Sequence, residues 1–127
     1  MKYKIEKETK PRLSTFGKYK AVAVHQQTIE SREIYREAAQ RMGTSEANVL
    51  GVMLSVAEVI KSHLRKGDRV RLENLGMMKL EIESDKVDRI SDFHAKKNIR
   101  GVRLHFLPES REGSQGLYEG IAFEKEK

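Results

Sequence analysis

Between Ser45 and Leu64 the apolar residues form two stripes at once. Leu50, Met53, Leu54, Ala57, Ile60 and Leu64 recur at spacings of three and four, which puts them on one face of an α-helix. Val49, Val52, Val56 and Val59 recur on a second face displaced from the first. A helix apolar over most of its circumference needs cover on more than one side. The chain has 127 residues, which suits one domain. The extra cover comes either from the chain's own remaining elements or from a second copy. The second copy is favoured, and Val49, Val52, Met53, Val56, Val59 and Ile60 are then the dimer-interface candidates.

Elements on either side of this helix are also legible. Thr28 to Gly43 reads as a shorter helix, with Ile34, Ala38 and Met42 four apart and Tyr35 and Ala39 beside them. Ser31 is its cap candidate and Gly43 its stop, and Thr44 or Ser45 caps the long helix. After Lys66-Gly67-Asp68, Val70 and Leu72 alternate with charges, Asn74-Leu75-Gly76 reads as a turn, and Met78, Leu80 and Ile82 alternate again. That is a hairpin with one buried face and one wet, charged face. Residues 84–97 are polar, alternation returns at Val102, Leu104 and Phe106, and Pro108 stops the strand. Gly113, Gly116 and Gly120 argue against a stable helix over Ser110 to Gly120. At the N-terminus, Tyr3 and Ile5 alternate with charges. So do Tyr19, Ala21 and Ala23 or, in the other phase, Val22 and Val24. Pro11, Ser14 and Gly17 lie between the two patches. A strand pair or extended arm is favoured there over a basic disordered tail.

The net charge of +6 favours an anionic partner. Residues 1–20 hold Lys2, Lys4, Lys7, Lys10, Arg12, Lys18 and Lys20 against only Glu6 and Glu8. The absence of cysteine removes disulfides, thiolate metal sites and thiol catalysis. His25, His63, His94 and His105 show no metal-site spacing, so no metal is expected. There is no nucleophile elbow and no glycine-rich phosphate loop, and the carboxylates alternate with Lys and Arg as on a solvated face. No catalytic residue, enzymatic activity, cofactor or small-molecule substrate is expected. Purely apolar runs are no longer than the four residues Ala21 to Val24, so neither a membrane span nor a signal-peptide core is expected, and the location is expected to be cytoplasmic.

Leu64-Arg65-Lys66-Gly67-Asp68-Arg69-Val70-Arg71-Leu72-Glu73-Asn74-Leu75-Gly76 resembles the Lys-Gly-Asp-x-Val…Gly stretch of bacterial HU and integration host factor, the histone-like nucleoid proteins. Met42 to Ala47 falls where that family has its turn and the start of its second helix. Residues 1–27 and the segment Asn98 to Pro108 resemble the longer HU-like proteins of Bacteroides-type bacteria. The resemblance covers roughly residues 28–110. It implies an α+β fold of the HU/IHF type: an intertwined homodimer with two N-terminal helices and a three-stranded antiparallel sheet bearing an extended β-arm. On this chain residues 1–27 are expected to be a basic extension of strands, residues 28–127 the HU-like domain, and the arm about 83–98. The implied partner is double-stranded DNA at the nucleoid, bound without sequence preference and bent. Cations at arm and saddle positions are Lys79, Lys86, Arg89, Lys96, Lys97, Arg100 and Arg103.

There are departures from the family pattern. The arm-tip motif Arg-Asn-Pro reads Arg89-Ile90-Ser91 here, so the proline wedge is missing. Ile90 or Phe93 is the candidate wedge in its place, against the alternative that both pack within the arm. Glu81 and Glu83 fall where the family often carries arginine, and Ser110-Arg111-Glu112 replaces a lysine-rich final helix. The alternative reading is therefore an HU-fold dimer used for protein interaction or assembly, with reduced DNA binding. A third is binding of RNA or another polyanion through the basic N-terminus, which the 4 Phe, 4 Tyr and absent Trp disfavour.

Overall fold

The computed structural model of the chain describes residues 1–109 and 117–127. In chain order the elements are β1 (Lys2–Lys7), β2 (Tyr19–Ala23), α1 (Ser31–Met42), α2 (Glu46–Arg65), β3 (Val70–Leu72), β4 (Gly76–Ser84), a 3-10 turn (Ile90–Asp92), α3 (Ala95–Asn98), β5 (Ile99–Pro108) and β6 (Glu124–Lys125). They form two compact units, Met1–Ser31 with Tyr118–Lys127, and Arg32–Leu117. The fold is mixed α+β, with two three-stranded sheets. Most of the glycine-bearing segment Ser110–Gly120, including the Ser110-Arg111-Glu112 departure, lies outside the described residues.

In the first unit β1 is the central strand, antiparallel to β2 and parallel to β6. The register sets Tyr3 opposite Ala23, Ile5 opposite Ala21 and Lys7 opposite Tyr19. Directly opposed residues share a face, so the phase that groups Tyr19, Ala21 and Ala23 is the one that joins Tyr3 and Ile5. The hairpin end is closed by the Glu8 amide donating to the Lys18 carbonyl at 2.8 Å and the Gly17 amide donating to that of Glu8 at 3.1 Å. Gly17, at φ 81°, supplies the left-handed residue this closure needs. Lys10's amide donates to the Glu8 carboxylate at 3.1 Å, and this bond, ahead of the Lys20 charge, holds the Glu8 carboxyl below its ordinary value.

In the second unit α2 begins where Ser45 caps it, the hydroxyl accepting from the Asn48 amide at 3.1 Å. It ends as Gly67 turns the chain at φ 93°, with its amide donating to the Leu64 carbonyl and that of Asp68 to His63. The two apolar stripes of α2 stay largely uncovered. Val49 is buried and Ile60 half-buried, while Val52, at 60%, and Met53, Val56 and Val59 are exposed. A groove of about 360 Å³ opens between the helices, lined by Ala38, Met42, Thr44, Asn48, Val49, Val52 and Met53. Among the described residues only Ala39 and Val49 are buried apolar side chains, and no large side chain is fully buried. By length and composition α2 is also apolar enough to cross a membrane. The expectation of no span rested on uninterrupted apolar runs, which Gly51 and Ser55 break without lowering the average much. The same composition marks a helix that protein covers on several sides.

The second sheet has the order β3-β4-β5, all antiparallel. Register puts Met78 opposite Phe106, Leu80 opposite Leu104 and Ile82 opposite Val102 on one face. Lys79 opposite His105, and Glu81 opposite Arg103, lie on the other. Pairing ends at Ser84 opposite Ile99, after a register shift between Glu83 and Ser84. Where the resemblance implies an extended β-arm over about 83–98, residues 85–98 instead fold back as a closed loop. The Asp85 amide donates to the Asn98 carbonyl at 2.8 Å, which shuts the loop at its base. Buried Asn98 also accepts the His94 amide on Oδ1 at 2.8 Å, and its own amide donates to the His94 carbonyl. These bonds satisfy backbone groups that a longer ladder would otherwise have paired.

Candidate nucleic-acid interface

The loop between β4 and β5 gathers Lys86, Arg89, Lys96 and Lys97 within fourteen residues, all four exposed. None of them makes an ion pair among the described residues. Local structure explains their display. Arg89 precedes the 3-10 turn, whose Asp92 amide donates back to the Arg89 carbonyl at 3.0 Å, and Lys96 and Lys97 ride on the single turn of α3. At the loop's crest Ile90 is 94% exposed, and Phe93 beside it is 38% exposed. An isoleucine this open has no packing role in the chain itself.

The remaining candidate cations are held differently. On the charged face of the sheet, Arg103 donates to Glu81 at 3.2 Å, and Lys79 approaches the same carboxylate at 3.6 Å. The Arg103 hydrogen bond, aided by the charges of His105 and Lys79, keeps the Glu81 carboxyl below its ordinary value, so Glu81 is ionised at neutral pH. At the loop's base Arg100 donates to Asp85 at 2.6 Å. Arg71 pairs with Glu109 at 3.1 Å. The seven sequence candidates thus divide into four open tip cations and three paired ones, a division that needed the strand register to see. In the first unit, Lys4 pairs with Glu6 and Lys20 with Glu8, while Lys2, Lys7, Lys10, Arg12 and Lys18 make no ion pair among the described residues.

This arrangement, two helices followed by a hairpin sheet with a cationic tip, is accompanied by a family match over residues 1–116. The matching family is HU-HIG, an HU domain fused to a wHTH, Ig or glycine-rich motif. The chain belongs to the HU-HIG family. Its fold is similar to the crystal structure of a Bacteroides vulgatus protein provisionally described as a bacterial DNA-binding protein. That likeness has a TM-score of 0.63 at 13% identity and covers 84% of this chain. The chain spans only 41% of the length of that structure. No curated protein matches the chain.

Within this HU-HIG chain the candidate interface residues Val52, Val56 and Val59 are exposed on α2, while Val49 is buried and lines, with Val52, the groove between the helices. Among the described residues no group of His, Asp and Glu is arranged to hold a metal ion.

Proposed function

We propose that the HU-HIG chain binds double-stranded DNA without reading its sequence, as a homodimer that bends the duplex with its two loop tips. The observation that carries this reading is the set of four unpaired cations, Lys86, Arg89, Lys96 and Lys97, around the exposed crest residue Ile90. Cations on a short projecting loop neutralise phosphates and release counterions, which favours binding irrespective of base sequence. Ile90 is the compact apolar side chain that a kinked base step takes up in place of a proline. Phe93, less open, supports the crest. The uncovered stripes of α2 support the dimer, since a second copy supplies apolar cover that the single chain lacks. The provisional description of the Bacteroides vulgatus protein as DNA-binding points the same way.

On this reading the protein takes no cofactor, metal or small-molecule substrate, performs no catalysis, and works at the nucleoid in the cytoplasm. The test is charge reversal at the tip. Replacing Arg89, Lys96 and Lys97 together by Glu removes six of the dimer's open tip cations. It should flatten the log–log salt slope of duplex binding by about 5. A variant that keeps the wild-type slope refutes the assignment of the tip.

A further inference from the structure

The seven cations that face the proposed DNA site are not equivalent, and the difference lies in two carboxylates. Glu81 stands directly opposite Arg103 in the β4–β5 ladder and two residues from Lys79 on the same face. It holds both, at 3.2 and 3.6 Å. Asp85, the first residue beyond the ladder, holds Arg100 at 2.6 Å. The nearby Glu83 has no ion-pair partner among the described residues. The sheet face leading to the tip is therefore close to self-neutralised, whereas the tip sets Lys86, Arg89, Lys96 and Lys97 against Asp88 and Asp92 and stays positive.

We infer that Glu81 and Asp85 set the strength and extent of DNA binding by holding Lys79, Arg103 and Arg100 away from phosphates, so that contact is confined to the loop tips. The inference rests on the DNA-binding reading above and adds to it the residues that limit it. Exposed ion pairs are individually weak, so the two carboxylates do not lock the cations. Their effect on DNA is twofold. A phosphate must compete with a carboxylate already in place, and a carboxylate that loses its partner is left facing the phosphate as a like charge. Binding strength and salt slope both follow the number of phosphates neutralised. A cation shared with Glu81 or Asp85 contributes little to that number. Because Glu81 is ionised at neutral pH, the restraint is constitutive.

The experiment measures duplex binding by fluorescence anisotropy from about 50 to 300 mM salt for wild type, Glu81→Gln, Asp85→Asn and the double variant, with Glu83→Gln as control. Gln and Asn keep the side-chain shape, and far-ultraviolet circular dichroism confirms that each variant folds. Glu81→Gln frees two cations per chain and Asp85→Asn one. At about 100 mM salt the double variant should bind at least about tenfold more tightly, with a slope steeper by about 5 for the six cations freed in a dimer. Glu83→Gln removes a charge without freeing a cation, and should change affinity by less than about threefold. If wild type binds and the double variant binds with the same slope, the inference fails and the DNA-binding reading stands. If Glu83→Gln matches Glu81→Gln, the effect is one of overall charge and the inference again fails. If no variant binds at any salt, freeing the cations has not produced an interface, and both the inference and the reading beneath it fall.

Discussion

Gly76 shows how one residue fixes the geometry on which the tip depends. It starts β4 opposite Pro108, and a Cβ there would run into the Leu107 carbonyl and stand 2.7 Å from the Phe106 ring. Such contact leaves no room for even a methyl group. Gly76→Ala should cost about 1–3 kcal/mol, read as a lower midpoint in denaturant unfolding with an unchanged slope. An unchanged midpoint would mean that β5 can move aside freely. The sequence marks Asn74-Leu75-Gly76 as a turn, and Asn74 does take the left-handed conformation at φ 66°. It does not show that the constraint on Gly76 comes from a strand thirty residues further along. The same holds for the cations. Alternation places Glu81 and Lys79 on one wet face, but the second partner of Glu81, Arg103, emerges only from the cross-strand register.

Among the elements, α2 is the most legible, and its apolar stripes remain largely uncovered. Two stripes at helical spacing are enough to predict a helix from Ser45 to Leu64, within a residue at each end of Glu46–Arg65. The two long strands, β4 and β5, are equally plain from period-two alternation. The short elements left no such trace. The four-residue α3 and the two-residue β6 are below the length at which periodicity exists, and β6 is fixed by pairing with β1 from the far end of the chain. The exposed stripe of α2 yields a sharp expectation. Val52→Asp on a free surface should change stability by no more than about 0.5 kcal/mol. If a second copy covers Val52, the buried charge should cost several kcal/mol and dissociate the dimer. Unfolding midpoints of wild type should then rise with protein concentration. A mild effect of Val52→Asp, with midpoints independent of concentration, would refute the dimer.

At the scale of the whole molecule, function follows from where charge is left uncompensated. The net charge of +6 is modest, and several of the basic residues, Lys20 and Arg103 among them, are engaged in surface ion pairs. Four tip cations per chain stay open, and the basic residues of the first unit add further unpaired charge. On the proposed reading their distribution, more than their sum, favours a DNA-binding dimer over an assembly module that has kept the fold. The most direct measurement is anisotropy of wild-type protein on two labelled duplexes of about 30 base pairs and unrelated sequence, each titrated at several salt concentrations. Eight open tip cations in a dimer give an expected log–log slope of about −7, the same for both duplexes. No binding at low salt, or a strong preference for one sequence, would contradict the account.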